Sequence, residues 1–431
     1  MQGKRRLMLF AAVLTVVFGC LTVVTPLFAD SKEQVLYSFN DNGTDGYNPD
    51  AGLIFDAVGN LYGTTPIGGA NADGVIFELT PGINGTWTET VLYPFCSVSG
   101  CTDGQYPIAG LILDAAGNLY GTTVNGGTHD RGTVFQLSPG ANGTWTETVL
   151  YSFNNNHKDG RDPEAGLIFD ASGNLYGTTL LGGAYGYGTV FQLTPGGNGT
   201  WTETLLHSFQ NNTRDGIYPY AGLIFDPAGN LYGTANGGGE HGEGAVLQLV
   251  PGTNGKWKER ILHSFNGKDG LEPYSGLIFD VAGNLYGTTH SGGASGTGCG
   301  GYGCGTVFEL TPGANGKWTE KVLHSFNDNG KDGYGPYAGL TFDAAGDLYG
   351  TAYYGGAYGS QCGGSGCGIV FQLTPATNGK WTEKVLHSFG NVSDGAGPYA
   401  PGLIFDAAGN LYGTTAWGGA YDYGTVFEIT P

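Results

Sequence analysis

Short apolar runs of four to nine residues, cut by Gly, Pro, Asn and Asp, follow one another along this chain, and the same succession returns seven times. The segment Asp56–Thr65, with Gly59, Asn60, Leu61 and Tyr62 at its centre, recurs with its aspartate at 114, 170, 226, 280, 343 and 406, at steps of 54 to 63 residues. A period of that length marks a repeat architecture. Each unit contains four strand signals, which in the second copy are Gly110–Leu113, Asn118–Thr123, Gly132–Leu137 and Trp145–Phe153, each bounded by turn residues. Four strands make one propeller blade. The fold expected is therefore all-β, a seven-bladed propeller of four-stranded blades. No segment after the first thirty residues keeps a helical period.

The chain ends complete the count. The last copy stops at Thr425–Pro431, after its third strand, and Lys32–Phe39 matches the strand it lacks, with Glu33 in the place of Glu89 and Phe39 in the place of Phe95. An N-terminal strand that closes the seventh blade removes two open sheet edges. Ser31 stands where the other outermost strands begin with Trp, so the closing strand is the least regular of the set.

Ahead of it, Lys4, Arg5 and Arg6 precede an apolar run from Leu7 to Val24, and Ala29 precedes a polar stretch. This is the layout of a secretory signal peptide. Residues 1–29 are expected to be removed, leaving 30–431 as a single propeller domain that does not insert in the membrane. Lipidation at Cys20 is the alternative, since Val17-Phe18-Gly19-Cys20 loosely resembles a processing box. Export to the medium, the periplasm or the cell surface follows, and a monomer is expected.

Cysteine usage agrees. Cys96 with Cys101, Cys299 with Cys304 and Cys362 with Cys367 share one spacing in Gly- and Ser-rich loops, so three local disulfides are the simplest assignment. The formal net charge of −20 opposes binding to nucleic acid or to an anionic membrane.

Chemistry is harder to find. Trp87, Trp145, Trp201, Trp257, Trp318 and Trp381 open the outermost strands, where packing between blades accounts for them. His207, His263, His324 and His387 occupy a position that is Tyr37, Tyr93 and Tyr151 elsewhere, which excludes a base there. The aspartate of every Asp-Gly pair, Asp45, Asp103, Asp159, Asp215, Asp269, Asp332 and Asp394, is expected to lock its loop. Calcium is the one cofactor with any support, from the oxygen-rich loops 40–46 and 327–333, which lack an EF-hand's acidic ladder.

Positions that vary between copies are not dictated by the scaffold. Around the loop proline they are Tyr47, Asn48 and Asp50; Tyr106 and Ile108; Arg161, Asp162 and Glu164; Tyr218 and Tyr220; Glu272 and Tyr274; Tyr334 and Tyr337; and Tyr399. The second long loop adds Tyr185, Tyr187, Trp417, Tyr421 and Tyr423. Both long loops are expected on one face, around the channel mouth. Aromatic faces beside carboxylates suit neutral sugars. Tyrosine covering Gly-rich loops explains the same residues. Glu240, His241, Glu243 and His290, in adjacent blades, are weak candidates for a metal site.

The units Gly-Leu-Ile-Phe-Asp-Ala-Ala-Gly-Asn-Leu-Tyr-Gly-Thr-Thr and Gly-Gly-Ala-x-Gly-x-Gly-Thr-Val-Phe resemble the bacterial GloVer-type tandem repeat proteins over the whole mature chain. The Asp-x-x-Gly-Asn-Leu-Tyr segment also resembles that of NHL and gluconolactonase-type propellers. The resemblance implies a bacterial exported protein, without implying an activity. Two functions stay open: a binding or scaffold module that recognises extracellular glycan or protein through the long-loop face, and a polysaccharide-active hydrolase or lyase, or a metal-dependent lactonase-like enzyme, at the channel mouth.

Overall fold

In a computed structural model the chain is described over residues 31–154, 156–294, 299–390, 393–399 and 402–431. The leader, its cleavage after Ala29 and Cys20 lie outside these residues. Seven four-stranded antiparallel sheets follow one another along the chain. In the first blade the order from the channel outward is Ile54–Phe55, Leu61–Thr65, Val75–Pro81 and Trp87–Pro94. The seventh is completed from the other end of the chain, as Lys32 pairs with Thr430 and Ser38 with Thr425.

Position in the blade sets the pattern of each strand. Leu61–Thr65 is buried at every residue and Val75–Pro81 over most of its length, because neighbouring blades cover both faces. The outermost strand Trp87–Pro94 begins with half-buried and exposed residues in alternation, as expected of a strand with one face in water. Phe77, Phe135, Phe191, Phe308, Phe371 and Phe427 lie wholly inside. Gly63 makes room for one of them: a Cβ there would stand 2.6 Å from Cζ of Phe77. A β-bulge between Ile76 and Phe77 recurs at the equivalent place in the other blades that have it, and turns the outermost strand against its neighbour.

Blades are joined by side chains as well as by packing. The ring of Trp145 meets Tyr62 of the preceding blade at 6.3 Å, and Trp87, Trp257, Trp318 and Trp381 repeat the contact. Thr64 Oγ1 donates to the Ala109 carbonyl of the next blade at 3.1 Å, and Thr414 makes the same bond to Ala51 across the closure. At Ser31 the missing indole leaves a hydroxyl that donates to the carbonyl of Leu386.

All three cysteine pairs are disulfides. Such bonds persist in oxidising compartments. The helices among the described residues are three-residue turns, and none is long and apolar enough to cross a membrane.

Candidate functional site

The two ends of the channel are built differently. On one, the short turn of each blade is fastened by its aspartate: Asp114 Oδ1 accepts from the N–H groups of Ala116 and Asn118, and Oδ2 from Asn118 Nδ2 and Tyr120 Oη. Burial works against this charge, but the hydrogen bonds outweigh it and hold the carboxyl below its usual range. These aspartates are turn formers.

On the other face the two long loops of each blade are zipped together. Gly46–Tyr47 pairs with Ile67–Gly68, and four more blades repeat that two-residue ladder, while Gln105 with Asn125 and Leu271 with Ser291 form single bridges. The Asp-Gly aspartate anchors the entry. Asp45 Oδ2 accepts from Asn40 N–H at 3.0 Å and Tyr37 Oη at 2.8 Å, and the histidine copies do the same work, with His207 Nε2 3.1 Å from Asp215. In the oxygen-rich loops the asparagine oxygens are taken by the chain's own donors: Asn42 Oδ1 accepts from Thr44 and Asp45, and Asn329 Oδ1 from Lys331 and Asp332.

The residue before each loop proline adopts a left-handed backbone: Asn48, Tyr106, Asp162, Tyr218 and Glu272 at φ 56 to 59°, with Gly335 and Gly397 at 63 and 62°. Its N–H donates to the preceding blade, as Asn48 does to Tyr423 at 2.9 Å and Glu272 to Glu243 at 3.0 Å. Glycine meets this demand without strain, so the five side chains kept there cost about 1 kcal/mol each or more.

After the proline the chain reaches the channel. Asp50, Ile108, Glu164, Tyr220, Tyr274, Tyr337 and Tyr399, one per blade, surround a cavity of about 500 Å³. Ile54, Ile112, Ile168, Ile224, Thr341 and Ile404 form its apolar wall. The ring is lopsided. Tyr220 and Tyr274 lie 5.0 Å apart, Tyr274 and Tyr337 5.1 Å, and Tyr337 and Tyr399 4.7 Å, a continuous aromatic arc over blades four to seven. Asp50, Ile108 and Glu164 complete the ring, with the two carboxyls next to the ends of the arc. Burial raises Asp50 to about 7, and burial with Asp162 alongside raises Glu164 to about 7. Tyr399 feels both carboxyls, and burial is the first cause of its raised pKa.

Other expected residues lie outside this ring. Tyr47 packs on Tyr423, Tyr218 on Tyr187, and Tyr334 stacks on Tyr354. Arg161 pairs with Asp162 at 3.0 Å, and Tyr106 is exposed. Trp417, 46% exposed, donates its Nε1–H to Tyr353 Oη at 3.2 Å, and both line a second cavity of about 340 Å³ with Tyr354, Asp422 and the Cys362–Cys367 disulfide. Tyr353 and Tyr354 were not among the expected residues. The signal was available, because Tyr353 holds the first position after the second strand, which is Pro66, Val124, Leu180, Asn236, His290 and Ala416 in the other copies.

The proposed metal residues do not converge. Glu240 and His241 are exposed, while His290 lies 3.6 Å from Glu272, holding that carboxyl below its usual range, and packs on Tyr337. Among the described residues, no close grouping of three such ligand atoms includes Glu240, His241, Glu243 or His290. Groupings do occur at the blade junctions, as with His263, Asp269 and Glu320. Tyrosine replaces the histidine in three junctions while the carboxyl pair stays, so these belong to blade contact. In the grouping of Asp73 with Cys96 and Cys101, both sulfurs are in a disulfide.

No curated protein matches the chain. Among solved structures it is similar to a putative oxidoreductase (glucose dehydrogenase) from Thermus thermophilus, at 18% identity over 74% of this chain and 95% of that one, TM-score 0.41. It is also similar to a luciferin-regenerating enzyme, at 17% identity over 75% and 90%, TM-score 0.41. The Gloeobacter/Verrucomicrobia repeat matches residues 18–139, 83–300 and 298–431. With that repeat running through all seven blades, the chain belongs to the Gloeobacter/Verrucomicrobia repeat family.

Proposed function

We propose that this protein is an exported binding module that recognises neutral glycan at the long-loop mouth of its channel. One observation carries the reading: four tyrosines form a continuous arc around a cavity whose remaining rim presents two half-buried carboxyl groups. A pyranose has an apolar C–H face and an equatorial fringe of hydroxyls, and such a cavity offers a ring to the first and an acceptor to the second. The Trp417–Tyr353 pair beside the second cavity extends the aromatic surface outward, as an oligosaccharide longer than the channel mouth requires. Five non-glycine residues kept at left-handed positions around the mouth agree with side chains wanted there for contact.

A hydrolase or lyase at the same mouth is the second reading. It draws on Asp50 and Glu164, which hold protons near neutral pH and so have the acidity of general acid–base groups. A polysaccharide array followed by product analysis separates the two. Retention without turnover is expected; new reducing ends or unsaturated products decide for the enzyme, and failure to retain any glycan removes both.

A further inference from the structure

Each blade junction repeats a contact that takes no part in the channel. The glutamate two residues after the leading tryptophan turns inward, toward the Asp-Gly aspartate of the connection that enters its own blade; an oxygen of Glu33, Glu320 or Glu383 lies within 4.8 Å of one on Asp394, Asp269 or Asp332. In three junctions the pairs are Glu89 with Asp45, Glu147 with Asp103 and Glu203 with Asp159, and a tyrosine of the preceding outermost strand, Tyr37, Tyr93 or Tyr151, donates to the aspartate. In the other four, Glu259 meets Asp215, Glu320 meets Asp269, Glu383 meets Asp332 and Glu33 meets Asp394, with His207, His263, His324 or His387 in the tyrosine's place.

In every one of these seven glutamates Oε1 is shut off from water and has no hydrogen-bond partner. Asp45, 3% exposed, and Asp159 hold an equally shut-off, unpartnered Oδ1. Two facing carboxylates with orphaned oxygens repel each other and lack donors, which a buried site does not tolerate. A proton on the glutamate removes the repulsion and turns an orphaned acceptor into a donor aimed at the aspartate.

We propose that each blade junction is closed by one proton shared between this glutamate and its aspartate, so that the ring carries a belt of protons in neutral water and loosens at alkaline pH. Burial first and the aspartate second raise Glu89, Glu147 and Glu259 to about 8 and Glu203 to about 7. Burial also leads at Glu320, Glu383 and Glu33, each raised to about 7, where the facing histidine opposes the aspartate. The folded chain therefore binds more protons than the unfolded one, whose glutamates titrate near 4.5. Their contribution to stability is fully present below that value and is lost as pH rises through about 7 to 8.

Calorimetric unfolding of the mature protein near pH 6, in buffers of different ionisation enthalpy, counts the protons released. Glu89→Gln and Glu147→Gln are each expected to release about one proton fewer and to flatten the fall of Tm between about pH 6 and 9, because an amide donates to the aspartate without titrating. An unchanged proton count in a folded variant overturns the proposal. Should the variants fail to fold, infrared spectra of the unaltered protein decide: a protonated-carboxyl band at pH 6 that fades through about 7 to 8 supports the belt, and its absence at pH 6 refutes it. A tightly held divalent ion whose removal by chelator lowers Tm also refutes it, since a cation would then occupy the place given to the protons.

Discussion

The blade junctions and the channel mouth are built from the same seven copies and follow opposite rules. At the junctions Trp, Glu, Asp and the Tyr-or-His position hardly change from copy to copy, because each blade meets an identical neighbour and the same surface must be filled. At the mouth the residue after the loop proline is Asp, Ile, Glu and then four tyrosines, although its backbone is placed the same way each time. Repetition within one chain thus separates what the ring requires from what it leaves free. The free positions are where a ligand can impose its own shape.

The sharpest break of that contrast is removal of residues 31–38, which strips the outermost strand from the seventh blade and bares the edge of Thr425–Thr430. Loss of a cooperative thermal transition and aggregation on size exclusion are expected. Phe135→Ala, inside the second blade, is next, at about 3–5 kcal/mol in denaturant titration. At the mouth the effect should change kind. Tyr399→Ala, 39% exposed, is expected to lower glycan retention at least tenfold, about 1.4 kcal/mol, while unfolding free energy moves by less than about 1 kcal/mol. Retention itself should weaken as pH rises through about 7. Below that point Asp50 and Glu164 are neutral, and a ligand that covers them further disfavours their charged forms. Asp50→Asn should flatten this profile in affinity chromatography. Val281→Ser, fully exposed on a short turn, is the control, expected within about 0.5 kcal/mol and without effect on retention.

Blade number, strand order and closure were legible because they depend on local runs and on their repetition. The second, third and outermost strands fall within two residues of expectation. The innermost pairs over only half of its expected length: Gly110–Leu113 was expected, and Ile112–Leu113 pairs. Ahead of that pair the chain bonds across to its neighbours instead, as the Ala109 carbonyl does with Thr64. Periodicity cannot report a partner in another blade. For the same reason the residues expected at the mouth divided into those that reach the cavity, such as Tyr337, and those that pack outside it, such as Tyr47 on Tyr423. The facing of Glu89 and Asp45, which lie 44 positions apart, was equally out of reach, though the unvarying glutamate was itself a clue.

The seam between Lys32–Ser38 and Thr425–Thr430 also orders events in time. Hairpins within each blade form between near neighbours in sequence, but this last ladder joins opposite ends of the chain and must wait for the rest. While it is unmade, the ring is a curved stack with two unsatisfied edges. Until that ladder is made, those edges are open to pairing with other chains.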